Sequence, residues 1–310
     1  MFPLLITIVS VLANLQSIPS TAANGLLSMP LYYCETSSNC YWKATGVIID
    51  TASGPSRDYS TFGISSFQGG IQMSMQNGGS RMYLTDESGN RHFPFQLNNK
   101  VLTFDVDVSQ MQCGFNAALY FSQMNLNTPI GKIDLTQGTG YCDAQGTCTE
   151  FDVFEANAAA TQVTSHSCTG SSGNCDHWGC GRNSRSLNVF GPYRQFNSMQ
   201  PFTVSTYFRA TNGVLTSVDQ TISQNGQSVS FPAISDSTCG GSGDPQFPST
   251  GELEAMGDAF NGGMTLVFSI WGTGGNGMSW LDGGSANNDC NTISHGSNTL
   301  KFSNLSIKPI

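Results

Sequence analysis

The strict alternation of apolar and polar residues between positions 102 and 109 restricts the fold of this chain more than any other feature. Every second residue there is apolar, namely Leu102, Phe104, Val106 and Val108. Side chains of a β-strand point alternately to opposite faces, so a period of two predicts a half-buried antiparallel strand. Other short apolar segments predict further strands at 46–50, 116–121, 202–208, 264–271, 278–281 and 299–307.

Turn signals separate these segments, and helix signals are rare. Asn212-Gly213 and Asn225-Gly226 are each typical of a type I′ hairpin turn. Residues 251–261 form the one segment with a helical pattern, and a capping box of Ser249 and Glu252 would begin it. In that helix Leu253, Met256 and Phe260 would share the buried face. We therefore predict an all-β sandwich of two antiparallel sheets with one short helix.

Length and charge limit the domain count and the partners. The 310 residues suffice for one large domain, only 11% of them are charged, and the formal net charge is −9. Nucleic acids and anionic membrane surfaces would repel such a chain, so neither is an expected partner. A neutral, polar ligand fits this composition better.

The N-terminal segment and the cysteines indicate secretion. Residues 1–23 have an apolar core followed by small residues, as in a secretory signal peptide, which leaves 24–310 as a single catalytic domain. The ten cysteines then predict disulfides whose connectivity the sequence leaves open. Cys175, His177 and Cys180 could mimic a metal site but lack a second paired cluster, so we expect no metal and no cofactor.

An acidic segment at 150–155 points to the chemistry. In a strand, Glu150 and Asp152 would share one face, and a bulge near Val153 and Phe154 would return Glu155 to that face. Glycoside hydrolysis with retention needs two carboxyl groups about 5–5.5 Å apart, one as nucleophile and one as proton donor. Asp152 would hydrogen-bond one glutamate and raise the pKa of a neighbour. A solvated strand face or a calcium site is the alternative for this spacing.

Several motifs in the same order resemble glycoside hydrolase family 7, which contains cellobiohydrolases and endoglucanases of the concanavalin-like jelly-roll fold. The matching segments are 79–84, 104–109, 113–121, 138–143, 150–157, 165–168, 263–271, 278–282 and 302–304. They extend over nearly the whole chain after the signal peptide. The resemblance implies a secreted, retaining endo-β-1,4-glucanase that acts on cellulose or related β-glucans.

The resemblance also implies individual roles. Glu150 matches the nucleophile, Asp152 the residue that tunes it, Glu155 the general acid/base and His166 a histidine close to that acid/base. Two further residues, Trp271 and Trp280, match platforms on which sugar rings stack, the alternative being tryptophans of the core. Four others match positions that line the cleft, although each could be structural: Arg81, Asn116, Tyr120 and Tyr141.

Departures from the family pattern predict a long open cleft. Only seven residues separate Cys142 from Glu150, where the family usually has a long segment that walls the cleft. Residues 51–54 and 272–277 lack the bulky side chains that the tunnel-forming members carry, and a basic residue expected near Cys290 is absent. These differences favour attack within a chain over processive release of disaccharide.

Two alternative functions remain open from the sequence. Family 16 β-1,3-glucanases use a similar acidic strand on a related jelly roll, so a β-1,3- or mixed-linkage glucanase is one alternative. A catalytically weak carbohydrate-binding protein of the same fold is the other, since the loops are short. In each case we expect a polysaccharide partner and a monomeric protein.

Overall fold

The computed structural model describes residues 25–127, 129–130, 140–169, 174–240, 244–293 and 296–310. The predicted signal peptide, together with Gly138 and Thr139 of one family motif, lies outside the described residues. Two large sheets face each other, as predicted for a jelly-roll sandwich. Within the described ranges, no helix has both the length and the apolarity that crossing a membrane requires.

The larger sheet, which we call the cleft sheet, carries the acidic segment. Its strands, in spatial order, are β1 (Leu27–Ser28), β4 (Gly46–Thr51), β8 (Gly79–Thr85), β22 (Met264–Gly272), β11 (Phe115–Ser122), β12 (Glu150–Ala156), β13 (Thr161–His166) and β16 (Cys180–Asn183). Two short strands pair beside this path, β5 (Gly54–Ser56) with β4 and β9 (Pro94–Phe95) with β22. Each pairing in this sheet is antiparallel.

The second sheet, which we call the outer sheet, covers the back of the cleft sheet. Its strands, in spatial order, are β21 (Gln227–Ser230), β20 (Val214–Gln224), β19 (Phe202–Thr211), β10 (Lys100–Asp107), β23 (Thr299–Pro309), β2 (Leu31–Thr36) and β3 (Asn39–Lys43), with β7 (Gly70–Ser74) beside β23 and β6 (Ile64–Phe67) beside β7. One pairing departs from the predicted antiparallel pattern, because β2 runs parallel to β23. Two small ribbons join β14 (Cys168–Thr169) to β15 (Asn174–Cys175) and β17 (Phe190–Gly191) to β18 (Phe196–Asn197).

The core fills the space between the sheets with aromatic and aliphatic side chains. Phe104 of β10 stacks edge-on against Phe154 of β12 and Phe302 of β23, each with ring centroids 5.8 Å apart. Leu102, Phe104, Val106 and Val108 are almost fully buried, whereas the polar residues between them are partly exposed, so the alternation predicted for 102–109 is confirmed. Both predicted hairpin turns are confirmed as well, with φ of 53° at Asn212 and 52° at Asn225.

The helical content differs from the prediction of one short helix. There are three α-helices in the described part of the chain, α1 (Glu252–Gly262), α2 (Ser279–Asp282) and α3 (Asn288–Thr292). Leu253, Met256 and Phe260 of α1 are buried as predicted, but Gly251 caps this helix without a side-chain hydrogen bond, so the capping box was wrong. The strand predicted at 278–281 is also wrong, since most of that segment forms α2.

All ten cysteines are paired. The five disulfides are Cys34–Cys40, Cys113–Cys290, Cys142–Cys148, Cys168–Cys175 and Cys180–Cys239. Cys175 and Cys180 belong to different disulfides, which removes both as metal ligands. Three of the five bridges lie next to the acidic strand and its neighbours β13 and β16.

Candidate active site

A bulge in β12 brings the three carboxylates to one face, as the sequence predicts. On the neighbouring strand β11, Leu119 pairs with Phe154 but the next residue, Tyr120, pairs with Asp152. Val153 is therefore the extra residue, and the alternation resumes beyond it. Phe154 faces the core, while Glu155 joins Glu150 and Asp152 in the cleft.

The bulge also sets the distance between the two glutamates. Glu150 pairs with Ser122 of β11 and Glu155 with Ala118, so their backbones are separated by four residues of a regular strand. That spacing corresponds to roughly 13 Å between Cα atoms. Two glutamate side chains that lean toward Asp152 can reduce this separation to the ~5–5.5 Å that a retaining mechanism needs.

His166 and Asp152 form the central polar pair. The Nε2 atom of His166 lies 3.1 Å from Oδ2 of Asp152, and its Nδ1 lies 2.8 Å from the carbonyl oxygen of Asp176. A carbonyl only accepts, so Nδ1 carries a proton. Burial alone would lower the pKa of His166, but the hydrogen bond to Asp152 and the charges of Asp152 and Glu150 outweigh it and raise the pKa to about 10. At neutral pH the ring is therefore a cation paired with Asp152.

Both glutamates have a raised pKa but different partners. Burial, followed by the charge of Asp152, raises the pKa of Glu150 to about 8, although the backbone N–H of Ala144 donates to its Oε2 at 3.0 Å. Burial and then Asp152 also raise the pKa of Glu155 well above its usual value. The sequence-based hydrogen bond between Asp152 and a glutamate is not found in the described residues, where Asp152 contacts His166 instead. Its charge still acts on both glutamates, as predicted.

The carboxylates lie at the floor of a cleft of about 840 Å³ that crosses the cleft sheet. Side chains of β8, β11, β12, β13 and β22 form the floor. Of the residues predicted from sequence, the cleft contains Glu150, Asp152, Glu155, His166, Arg81, Tyr120, Tyr141, Trp271 and Trp280. Residues 51–54 and 272–277 do not line it, which agrees with the open cleft expected from their small side chains.

Arg81 belongs to a polar cluster on the β8 side of the cleft. Its guanidinium donates to Oδ2 of Asp50 at 2.6 and 3.1 Å, and the hydroxyl of Tyr83 donates to the same oxygen at 2.9 Å. The guanidinium also lies over the ring of Tyr141, 3.4 Å from its centroid. The hydroxyls of Tyr141 and Tyr120 are 3.1 Å apart, and burial raises the pKa of both, so these phenols stay protonated.

Asn116 differs from its predicted role as a residue that contacts substrate. It is fully buried beneath the cleft and is absent from the cleft lining. Its Nδ2 donates to Oε1 of Glu155 at 2.8 Å, and its Oδ1 accepts the backbone N–H of Ala156 at 3.0 Å. Asn116 therefore contacts the carboxyl group of Glu155 from below and does not line the cleft, contrary to the prediction from sequence.

Trp271 and Trp280 lie at the rim of the cleft and not in the core. Their exposed fractions are 43% and 44%, which excludes the alternative of tryptophans buried between the sheets. Trp271 lies near the end of β22, paired with Asn116 of β11, and Trp280 lies on α2. Large aromatic faces left open beside a polar groove are typical of sugar-binding sites.

Sequence reasoning missed several residues of the cleft. These are chiefly Asp50, Gln145, Gln162, Thr164, His177 and Trp178. Gln162 and Thr164 could have been found, because they precede His166 at intervals of two on one strand and must share its face. The others come from loops or distant strands, where no periodicity indicates which way a side chain points.

Comparisons with known proteins agree with this geometry. A sequence model described as glycosyl hydrolase family 7 matches residues 33–147 and 146–302. The endo-beta-1,4-glucanase celB of Aspergillus oryzae is 36% identical over 288 residues, which cover 74% of this chain and 68% of celB. Endoglucanase EG-1 of Hypocrea jecorina is 35% identical over 260 residues, covering 73% of this chain and 56% of the relative.

Solved structures show the same fold. Endoglucanase I complexed with cellobiose superimposes with a TM-score of 0.79 at 25% identity, covering 94% of this chain and 98% of that one. The native endocellulase EGI of Humicola insolens gives a TM-score of 0.77 at 25% identity, with 91% and 96% coverage. The folds therefore match over almost their full lengths.

Proposed function

Since this chain belongs to glycosyl hydrolase family 7, we propose that it is a retaining endo-β-1,4-glucanase that hydrolyses cellulose or related β-glucans. The observation that carries the proposal is the row of Glu150, Asp152 and Glu155 on the cleft face of β12, with His166 held against Asp152. The similarity to enzymes named endo-beta-1,4-glucanase supports the same linkage.

In the first step Glu150 attacks the anomeric carbon while Glu155 protonates the departing glycosidic oxygen. Glu155 suits the acid role because burial and the charge of Asp152 both raise its pKa, which keeps the proton on it at mildly acidic pH. Glu150 suits the nucleophile role because the backbone N–H of Ala144 and the nearby His166 cation oppose the effect of burial on its pKa and favour the carboxylate form that attacks. A covalent glycosyl ester of Glu150 results.

In the second step water replaces Glu150 at the anomeric carbon. Glu155, now deprotonated, accepts the proton of that water, so the two glutamates end as they began and the anomeric configuration is retained. Asp152 holds the His166 cation beside Glu150 throughout. Asn116 keeps the carboxyl group of Glu155 aimed at the cleft by donating to its Oε1.

The open cleft supports attack at internal bonds. Because residues 51–54 and 272–277 do not reach the cleft, a polysaccharide can lie across the sheet without being threaded from one end. We accordingly expect a mixture of oligosaccharide lengths from a soluble β-1,4-glucan at the earliest times. Products that are almost entirely disaccharide from the start would contradict this part of the proposal.

We also propose that the protein is secreted and monomeric. Residues 1–23 would be its signal peptide and residues 24–310 its one catalytic domain. Five disulfides in the described chain support an oxidising, extracellular environment. N-terminal sequencing of protein collected from the medium of a secreting host should begin near residue 24. Sedimentation of that protein should give the mass of a single chain.

The experiment that tests the activity is hydrolysis of a panel of glucans by the mature protein. The panel contains carboxymethyl-cellulose, mixed-linkage β-glucan, xyloglucan, laminarin and chitosan. Glu150→Gln should lower activity on the β-1,4-linked members by on the order of 10⁴-fold or more, since loss of a covalent nucleophile has effects of that size. Glu87→Gln, an exposed glutamate outside the cleft, is the matched control and should keep full activity.

Each alternative function predicts a different result from this panel. Hydrolysis of laminarin in preference to carboxymethyl-cellulose would favour a β-1,3-glucanase. Binding without hydrolysis of any member would indicate a carbohydrate-binding protein of the same fold. Undiminished hydrolysis by Glu150→Gln would show that another group is the nucleophile.

A further inference from the structure

The β13 side of the cleft has a polar floor that the catalytic steps do not use. Gln162 and Thr164 occupy the cleft face of β13 beside His166. The adjoining strand β16 is the edge of the sheet, and its Gly181 pairs with Thr164. A Cβ at Gly181 would lie 3.2 Å from Nε2 of Gln162 and 3.3 Å from Oγ1 of Thr164, so this glycine leaves the floor uncovered at its outer side.

Two exposed tryptophans stand at opposite ends of this floor. Trp178 lies next to the His166 end, because the neighbouring Gly179 is in contact with the imidazole ring of His166. Trp280 lies toward the Gln162 end, since Asn183 pairs with Gln162 and donates through Nδ2 to the carbonyl oxygen of Leu281 at 2.9 Å. Both tryptophans line the cleft.

Trp178 is highly exposed, yet its backbone is firmly held. Its side chain is 75% exposed, the second-largest exposure among the large apolar side chains of the described residues. Disulfides Cys168–Cys175 and Cys180–Cys239 close the loop on both sides. Oδ1 of Asp176 accepts the backbone N–H of Trp178 at 3.2 Å and that of Gly179 at 2.9 Å, and Gln145 donates to the carbonyl of His177 at 2.9 Å.

A rigid loop that holds a solvent-exposed indole beside a polar groove is suited to bind a sugar. The apolar C–H face of a pyranose stacks on an aromatic ring, and little side-chain freedom is lost because the loop is preorganised. The hydroxyl of Thr164 accepts from Nε2 of Gln162 at 3.1 Å and retains its own proton for donation to a ligand. The floor can thus hydrogen-bond the hydroxyls at the edge of the same sugar.

We propose that Trp178 forms the wall of a subsite on the β13 side of the cleft, which binds one glucosyl unit of the polysaccharide beside Thr164, at the opposite end of the floor from Trp280. Trp178 is the specificity-determining residue of this subsite. This proposal deepens the proposed function and rests on it. Because Trp178 comes from a different loop, the wall that it forms compensates for the shortened segment between Cys142 and Glu150.

The test measures the binding of cellopentaose to the inactive Glu150→Gln protein by isothermal titration calorimetry. Adding Trp178→Ala should weaken binding about tenfold, which corresponds to about 1.4 kcal/mol. Trp178→Phe should retain most of the affinity, since it keeps an aromatic face. Tyr193→Ala removes an aromatic residue that is 79% exposed but outside the cleft, and should leave the affinity unchanged.

The same substitutions in the active protein give a second measurement. Trp178→Ala should lower kcat/KM on cellopentaose by a similar factor with an unchanged melting temperature. Binding and kcat/KM that Trp178→Ala leaves unaltered would overturn the subsite alone. Equal losses in Trp178→Ala and Tyr193→Ala would also overturn it, and failure of the Glu150→Gln parent to bind any cello-oligosaccharide would overturn both the subsite and the proposed function.

Discussion

The two sides of the cleft are held in place in different ways. On the β8 side, Asp50, Arg81, Tyr83 and Tyr141 are bound to one another, so the side chains themselves form a network. On the β13 side, the described residues form no comparable side-chain network around Trp178, whose position comes from the disulfides and the backbone hydrogen bonds of its loop.

This difference indicates where stability and substrate binding are separable. On the β8 side a polar group can contact substrate only while it also keeps its partners, so substitutions there should reduce stability together with activity. On the β13 side the backbone of the loop is what holds the loop in position, so the exposed side chains can bind a ligand. Asp152 and His166 lie between the two sides and should affect catalysis most.

The largest loss of activity is expected from Asp152→Asn, at the centre of the cleft. Asp152 is the partner of His166, and its charge is the second cause, after burial, of the raised pKa values of both glutamates. We expect kcat/KM to fall by on the order of 10³-fold. Without that charge the pKa of Glu155 falls, so the acid loses its proton at lower pH and the alkaline limb of the rate profile moves toward acid.

The pH profile of kcat/KM checks this prediction. Asp219→Asn, which alters an aspartate paired with Arg209 on the outer sheet, is the matched control and should leave the profile in place. An alkaline limb that does not move in Asp152→Asn would show that Asp152 has no influence on the acid.

The second-largest loss of activity is expected from Gly179→Ala on the β13 side. Gly179 has φ of +75°, and a Cβ there would lie 2.4 Å from Cε1 of His166 and from Cγ2 of Thr164. Either the loop or the imidazole must shift, and a displacement of about 1 Å near a catalytic group can cost 10²-fold in rate. Gly226→Ala has nearly the same φ, +76°, but no described atom within 4 Å of its Cβ, so it is the matched control and should remain near wild-type activity. Equal activities of the two variants would contradict the tight contact.

On the β8 side, Arg81→Ala should reduce stability more than catalysis. The substitution removes the guanidinium that pairs with Asp50, whose side chain is only 10% exposed. Loss of a hydrogen bond to a charged group costs about 2 kcal/mol, which lowers the melting temperature of a chain of this size by roughly 4 °C. Trp178→Ala on the β13 side should instead weaken cellopentaose binding without a change in melting temperature. A reversal of these two results would refute the contrast between the sides.

The acidic row could be predicted from sequence because its signals are local. Alternation, scarce charge and one extra residue were enough to place Glu150, Asp152 and Glu155 on one face, and the bulge at Val153 is confirmed. The strand predicted at 278–281 failed because a short apolar segment fits a helix equally well. Trp178 could not be placed, since its loop is fixed by Cys180–Cys239, a bridge between residues 59 positions apart.

The smallest expected effect concerns a buried pair of carboxyl groups behind the Trp178 loop. Asp176 and Asp244 are both buried, and neither Oδ2 atom accepts a hydrogen bond from any other described group. Burial, followed by the hydrogen bond and charge of Asp176, raises the pKa of Asp244 to about 6. The folded protein therefore shares a proton between these two groups under acidic conditions.

Asp244→Asn should remove a pH dependence of stability. An unfolded aspartate has a pKa of about 3.9, so the folded state binds this proton more tightly, and the resulting stability is full below about pH 4 and lost as the pH rises to about 6. Asparagine donates an N–H to Asp176 at any pH, so the variant should melt at a higher temperature than the wild type at pH 7 and close to the wild type at pH 4. Asp258→Asn, an exposed aspartate of α1, is the control in calorimetry at both pH values. Melting temperatures of Asp244→Asn that follow the wild type at pH 4 and pH 7 would show that the pair holds no proton, and the position of the Trp178 loop would then rest on its disulfides and backbone hydrogen bonds.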